Sequence, residues 1–308
     1  MAIALALTSP ELKVEALTVV PGNVTGEQGL VNALKLVSLA GRCDIPVAAG
    51  ARHPLAQKLV TAEFVHGRNG FGNIELPAST CAVDPRFAAD LIIDMVKKNP
   101  GQLTLLPIGP LTNIALAISK DPSIVPLVKD VIIMGGTVTE GNVTAVAEAN
   151  IYGDPEAASI VFNAGWPLTM VGLDVTNRTR FTERELNELA LTHGTLNDFA
   201  TAVMKFLLDL SAKFGEKGTP MHDPLAIGAA IDKTLVTTKA MRVDVETRGQ
   251  FTRGQTVGNR NNAVERNELQ GDRYVMVGVD FLKPNVDVGV EVDADRFLKL
   301  FISRLRGK

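Results

Sequence analysis

Apolar residues fall along this chain in two alternating rhythms. Short continuous hydrophobic runs at residues 14–20, 45–50, 103–107, 131–134 and 167–173 have the length and content of buried strands. Between them, apolar positions recur at helical spacing. Leu30, Ala33, Leu34, Leu36, Val37 and Leu39 mark a helix within residues 26–41 with Gly41 as its C-cap, and residues 85–98 read as another. Strand, helix and strand repeated at this spacing predict an α/β fold, an open and mostly parallel sheet with helices on both faces. Residues 181–214 read as mostly helical and 218–226 as a loop entering a helix. Residues 240–288 alternate in a β-like way, and 292–306 form a closing amphipathic helix. No internal repeat or linker-like run interrupts the pattern, so residues 1–308 are expected to form a single domain.

The stretch 131–158 concentrates polar chemistry at a strand end. Its apolar run leads into Gly135-Gly136, then a polar loop with Asn142, Glu148 and Asn150, then Asp154-Pro155, where a capping oxygen and an N1 proline open a helix. Ligands of open α/β sheets gather in such loops, outside the carboxyl ends of the strands. Asn23 lies in a Pro-Gly-Asn turn after the 14–20 strand, and His222-Asp223 lie where a loop enters a helix. His66 stands in the irregular segment 51–82, whose Gly67, Gly70 and Gly72 suggest a mobile flap.

Each of these residues has a plain reading. Asn23 suits a turn, Asp223 before proline suits an N-cap, and His66 and His222 suit loop or structural histidines. Their placement at one edge of the predicted sheet favours a shared site. Two amides and a carboxylate offer donors and acceptors to sugar hydroxyls. Asp223 suits a hard cation, and His222 suits proton donation to a leaving group near neutral pH.

Composition narrows the partners. Apolar residues make up 46% and charged residues 21%, the balance of a globular protein, and the net charge of −3 provides no basic field for nucleic acid. Cys43 and Cys81 have no metal-ligand spacing and could form one bridge at most; two buried thiols in a reducing cytoplasm is the simpler expectation. Residues 1–7 lack the basic flank and cleavage site of a leader peptide and read as the second half of a helix. No run is long enough to span a membrane.

Seven stretches, in order and at their spacing, resemble the inosine–uridine nucleoside hydrolases over essentially the whole chain. They are Pro21-Gly22-Asn23-Val24, His66-Gly67 with Gly70 and Gly72, Ile108-Gly109-Pro110-Leu111-Thr112-Asn113 and Met134-Gly135-Gly136. Gly141-Asn142 with Ala147-Glu148-Ala149-Asn150, Asp154-Pro155-Glu156-Ala157-Ala158 and His222-Asp223-Pro224-Leu225-Ala226 complete the set. The resemblance implies a Rossmann-type core and a Ca²⁺-dependent enzyme that hydrolyses the N-glycosidic bond of ribonucleosides to ribose and free base, in nucleoside catabolism and salvage. It implies calcium ligation by Asp223 and the Ile108 carbonyl. Asn23, Met134, Asn142, Glu148 and Asn150 would hold the ribose, His66 would line the base pocket, and His222 would protonate the departing base. It also implies a homodimer or homotetramer.

Two departures qualify this. The family's first strand and its aspartate-rich loop, of the form D-x-D-P-G-x-D-D-A, have no counterpart here, because residues 1–7 match the helix that follows them. Weak calcium binding, little or no activity and reduced stability are therefore expected of the 308-residue chain. Before His222, where many relatives carry tyrosines, Phe206, Leu210 and Phe214 are the hydrophobic candidates near the base. A catalytically inactive nucleoside- or ribose-binding relative or subunit is the alternative; retention of His222 alongside the ribose-binding set favours the hydrolase. A dinucleotide-binding protein is excluded, since no G-x-G-x-x-G follows a strand.

Overall fold

The computed structural model describes residues 1–259 and 283–307. The chain opens with α1 (Ala2–Thr8), β1 (Leu17–Val19), α2 (Gly26–Leu39), β2 (Val47–Ala49) and the short α3 (Glu63–His66). It continues through α4 (Ala88–Lys98), β3 (Thr104–Leu105), α5 (Thr112–Lys120), β4 (Asp130–Met134), α6 (Ala149–Gly153), α7 (Pro155–Phe162), β5 (Leu168–Val171) and α8 (Leu173–Thr176). There follow β6 (Arg180–Phe181), α9 (Glu183–Leu189), α10 (Thr195–Lys213), β7 (Thr219–Pro220) and α11 (His222–Ile231). The last described elements are β8 (Val236–Met241), β9 (Val243–Val245), β10 (Thr256–Gly258), β11 (Val286–Val292) and α12 (Ala294–Leu305). The expected β-like alternation over 240–288 is met by β8, β9, β10 and β11 at its two ends; residues 260–282 lie outside the described residues.

The central sheet has the order β3-β4-β5-β11-β8, parallel except for the antiparallel β11–β8 pair. Every residue of β4 is buried, and the pleat sends its side chains alternately to two cores. Ile132 and Met134 join α1, α11 and α12 on one face; Val131 and Ile133 join α4, α5 and α7 on the other. A strand covered on both faces needs apolar residues at consecutive positions, which is why this run was continuous. Residues 1–7, expected as part of a helix, supply α1, whose Ala2, Ala4, Leu5 and Ala6 are buried in the first core.

β1 and β2 form a separate parallel pair packed on α2. The sheet is interrupted between β1 and β3, and a cavity of about 960 Å³ runs along both edges, bordered by residues 14–20 on one side and 102–110 on the other. The carbonyls of Leu103 and Pro107 are taken by Lys129 and Met134 N–H on the β4 side. Because successive carbonyls of a strand point to opposite edges, those of Thr104, Leu106 and Ile108 face the cavity.

The structure details two of these expectations and corrects one, that of the cysteines. Residues 181–214, expected to be mostly helical, hold two helices: a capping box of Thr182 with Glu185 starts α9, and the chain turns at residues 190–194 before α10. Cys43 and Cys81 are not buried thiols: they form a disulfide with Cα atoms 5.0 Å apart, and Cys43 is exposed. The segment before Cys81 folds back over α2, with Ser79 Oγ donating to Leu34 O at 2.9 Å and Thr80 N–H donating to Ser38 Oγ at 3.2 Å. That contact, remote in sequence, is what brings the sulfurs together.

The glycines of segment 51–82, expected to allow a mobile flap, take up a turn in the structure. Gly72 has φ +66°, and a Cβ there would lie 2.6 Å from the Phe206 ring. Asn69 braces the turn, its side chain accepting from Phe71 and Asn73 N–H and donating to Ile74 O. Phe71 packs edge-on against Phe199 with ring centroids 5.0 Å apart.

Candidate active site

β4 delivers the chain to Gly136, whose φ of +77° brings the backbone so close to Met170 that a Cβ would lie 2.7 Å from its sulfur. This sharp exit aims the Gly136 N–H at Glu148 Oε2, 2.9 Å away. Glu148 is buried and is the N-cap of α6, accepting also from Asn150 N–H at 2.9 Å and Ile151 N–H at 3.1 Å. Burial pushes its carboxyl up to about 7; the N–H groups of Asn150, Gly136 and Ile151 oppose the rise, and the charge of Asp223 adds to it. The expected polar loop thus ends at Glu148, and Asn150 sits on a helix too short for sequence periodicity to reveal.

The two amides are oriented in complementary ways. Asn150 Nδ2 donates to the Met134 carbonyl at 3.0 Å and to Met134 Sδ at 3.2 Å, which leaves its Oδ1 as an acceptor. Asn142 Oδ1 accepts from Ala149 N–H at 3.0 Å, which leaves its Nδ2 as a donor. Asp154, four residues on, has a structural task. Fully buried, it caps α7 through Ala157 N–H and accepts from Thr112 Oγ1 at 2.7 Å and Leu55 N–H at 2.9 Å, clamping α5 and the 51–58 loop to α7.

On the opposite wall, α11 begins at His222. Its N-cap is Met221 and has no side-chain hydrogen bond, so Asp223 is not the N-cap of the plain reading; it lies in the first turn with no hydrogen bond to its carboxylate among the described residues. Its pKa is raised by burial. His222 Nδ1 lies 2.7 Å from Thr176 Oγ1. Burial lowers the His222 pKa to about 4, and the nearby charges of Arg180 and His66 lower it further; burial likewise holds His66 at about 4. Both rings are therefore neutral at pH 7.

The cavity wall includes Asn23, His66, Ile108, Met134, Asn142, Glu148, Asn150, His222 and Asp223. Phe206, Leu210 and Phe214 are absent from it. Phe206 packs on Gly72 and Phe214 is 77% exposed, while Phe199, Met204 and Leu207 face the cavity instead. The two sets interleave along α10 and its C-cap, and which of them borders the cavity is decided by packing. Thr176 also escaped the sequence, because a buried threonine behind a histidine leaves no pattern.

Calcium takes six to eight oxygen ligands. The cavity offers the Asp223 carboxylate and the Ile108 carbonyl, and among the described residues no group of three or more His, Cys, Asp or Glu side chains comes together for a metal. The donors present do not fit a calcium cage.

A mostly parallel sheet with amides, acids and imidazoles converging at its strand ends defines an α/β protein with a polar small-molecule site. Residues 1–299 match the family model described as inosine-uridine preferring nucleoside hydrolase, and the chain belongs to that family of hydrolases. It is 37% identical over 307 residues to the pyrimidine-specific ribonucleoside hydrolase RihA of Citrobacter koseri, covering 99% of this chain and 93% of the relative. Among solved structures, a plant nucleoside hydrolase, PpNRh1, superposes with a TM-score of 0.90 at 37% identity, covering 99% of this chain and 94% of that one. The purine-preferring ribonucleoside hydrolase from Gardnerella vaginalis superposes with a TM-score of 0.88 at 36% identity and the same coverage.

Proposed function

We propose that the cavity binds a ribonucleoside and cleaves its N-glycosidic bond to ribose and free base, with His222 as the acid. The observation that carries this reading is the convergence of the Met134, Asn142, Glu148 and Asn150 wall with His222 and Asp223 on one cavity. Asn142 Nδ2 and Asn150 Oδ1 pair with ribose hydroxyls as donor and acceptor, Glu148 adds a carboxyl that titrates near 7, and Asn23 and Met134 complete the sugar contacts. These groups favour the flattened, positively charged sugar of the transition state. As the C1′–N bond breaks, its electron pair goes to the base, which takes the ring N–H proton of neutral His222; water forms the new C1′–O bond, and the proton that water releases restores the ring. His66 lines the base side.

Asp223 and the Ile108 carbonyl are read as part of a Ca²⁺ site. With so few donors among the described residues, weak calcium binding is the expected outcome for this site. That shortfall favours, as second reading, a relative that binds nucleosides or ribose with little or no turnover. A homodimer or homotetramer belongs to the same family reading, whereas the cytoplasmic setting expected from free thiols loses that support with the Cys43–Cys81 bridge.

Base release from inosine and uridine, followed by chromatography, tests the function; both are needed because similar relatives are named for opposite base classes. His222→Ala is expected to lower kcat by about 10²-fold or more. Saturable nucleoside binding by calorimetry with no base release would favour the second reading, and no binding at all would remove both.

A further inference from the structure

Behind His222 stands a side chain that does not reach the cavity. Thr176 is the last residue of α8, is fully buried, and places Oγ1 2.7 Å from His222 Nδ1. Backbone pairing sets this meeting. β6 and β7 pair antiparallel with Arg180 opposite Pro220, and Met221 N–H donates to Thr179 O at 2.9 Å, so the first residue of α11 lies against the end of α8.

The direction of the Thr176–His222 hydrogen bond follows from satisfaction of the hydroxyl. Thr176 Oγ1 has no other hydrogen-bond partner among the described residues; the Gly172 carbonyl one turn back takes the Thr176 backbone N–H. Were Nδ1 the donor, the hydroxyl proton would be left buried without an acceptor, an arrangement native interiors avoid. With the hydroxyl donating, Nδ1 is the acceptor and the ring proton sits on Nε2. A neutral imidazole can act as a donor in this way only if the correct nitrogen carries the proton, as buried catalytic histidines elsewhere demonstrate.

We propose that Thr176 is a positioning residue whose hydroxyl donates to His222 Nδ1 and so holds the ring as the Nε2–H tautomer, presenting that N–H to the departing base. This rests on the reading of His222 as the acid. It adds the group that orients the acid, and it explains why a threonine is fully buried at the end of a four-residue helix.

Two measurements test it. In ¹⁵N-labelled protein, long-range ¹H–¹⁵N correlation of the His222 ring should show a pyridine-type Nδ1 and a pyrrole-type Nε2. Thr176→Val, which keeps the shape and removes the hydroxyl, should mix or invert the two signals, and Thr176→Ser should restore them. A pyridine-type Nε2 in the wild type, or unchanged signals in Thr176→Val, would overturn the proposal. This readout needs no turnover.

The second compares inosine and uridine with p-nitrophenyl riboside, whose phenolate leaves without protonation. Thr176→Val should lower kcat on the nucleosides by about tenfold or more with little change in KM, and leave the aryl riboside within about twofold. An equal loss on both substrates would mark Thr176 as merely structural. If His222→Ala itself shows no preference between the two substrates, the acid reading fails, whatever the tautomer experiment returns.

Discussion

At Glu148 burial and hydrogen bonding act in opposite directions. Three backbone N–H groups favour its anion, yet burial prevails and raises the carboxyl from 4.5 to about 7. The sign for stability follows. A carboxyl raised on folding favours its protonated form in the folded state, so its contribution is complete below pH 4.5 and is lost as pH climbs through 7. The shift corresponds to about 3 kcal/mol. Between pH 4.5 and 7.5, the unfolding free energy of the wild type should therefore fall by about 3 kcal/mol more than that of Glu148→Gln, measured by denaturant titration. Parallel pH curves for the two proteins would show that folding leaves Glu148 unshifted. Which residues hold polar chemistry was legible at this scale, since Asn142, Glu148, Asn150, His222 and Asp223 sit at strand ends and helix starts. Their hydrogen-bond directions were not, because those depend on Gly136, Met134 and Thr176, which neighbour them in space only.

At the scale of elements, β4 and α7 were readable because a run of buried residues and an Asp-Pro start are local signals. α6, five residues long, was not, and neither was the division of 181–214 into α9 and α10. The Cys43–Cys81 bridge belongs to this scale too, because it ties the 74–82 segment to the turn after α2. Closing 38 positions of chain restricts the unfolded state and contributes about 3–4 kcal/mol on a chain-entropy view. Reduction, or Cys43→Ser with Cys81→Ser, should lower stability by an amount of that order in denaturant titrations; addition of reductant should leave the double variant unchanged. Equal midpoints for oxidised and reduced wild type would show that the hydrogen bonds of Ser79 and Thr80 already hold the segment.

For the whole molecule, the decisive feature is the cavity between β1 and β3 and the few donors it brings to a cation. Calorimetric titration with Ca²⁺ should show binding no tighter than about 1 mM, the weak end for calcium sites. Micromolar affinity, or calcium-dependent turnover of inosine or uridine at rates usual for the family, would contradict that. The layered α/β architecture and the family were written in the chain, because buried strands, amphipathic helices and short turn motifs are local patterns in which each residue reports its own surroundings. Tertiary packing alone determined the disulfide, the exclusion of Phe206 and Phe214 from the cavity, the raised Glu148 carboxyl and the threonine behind His222. Each of these depends on the distance, burial or orientation of groups brought together from separate elements, and no local pattern encodes those quantities.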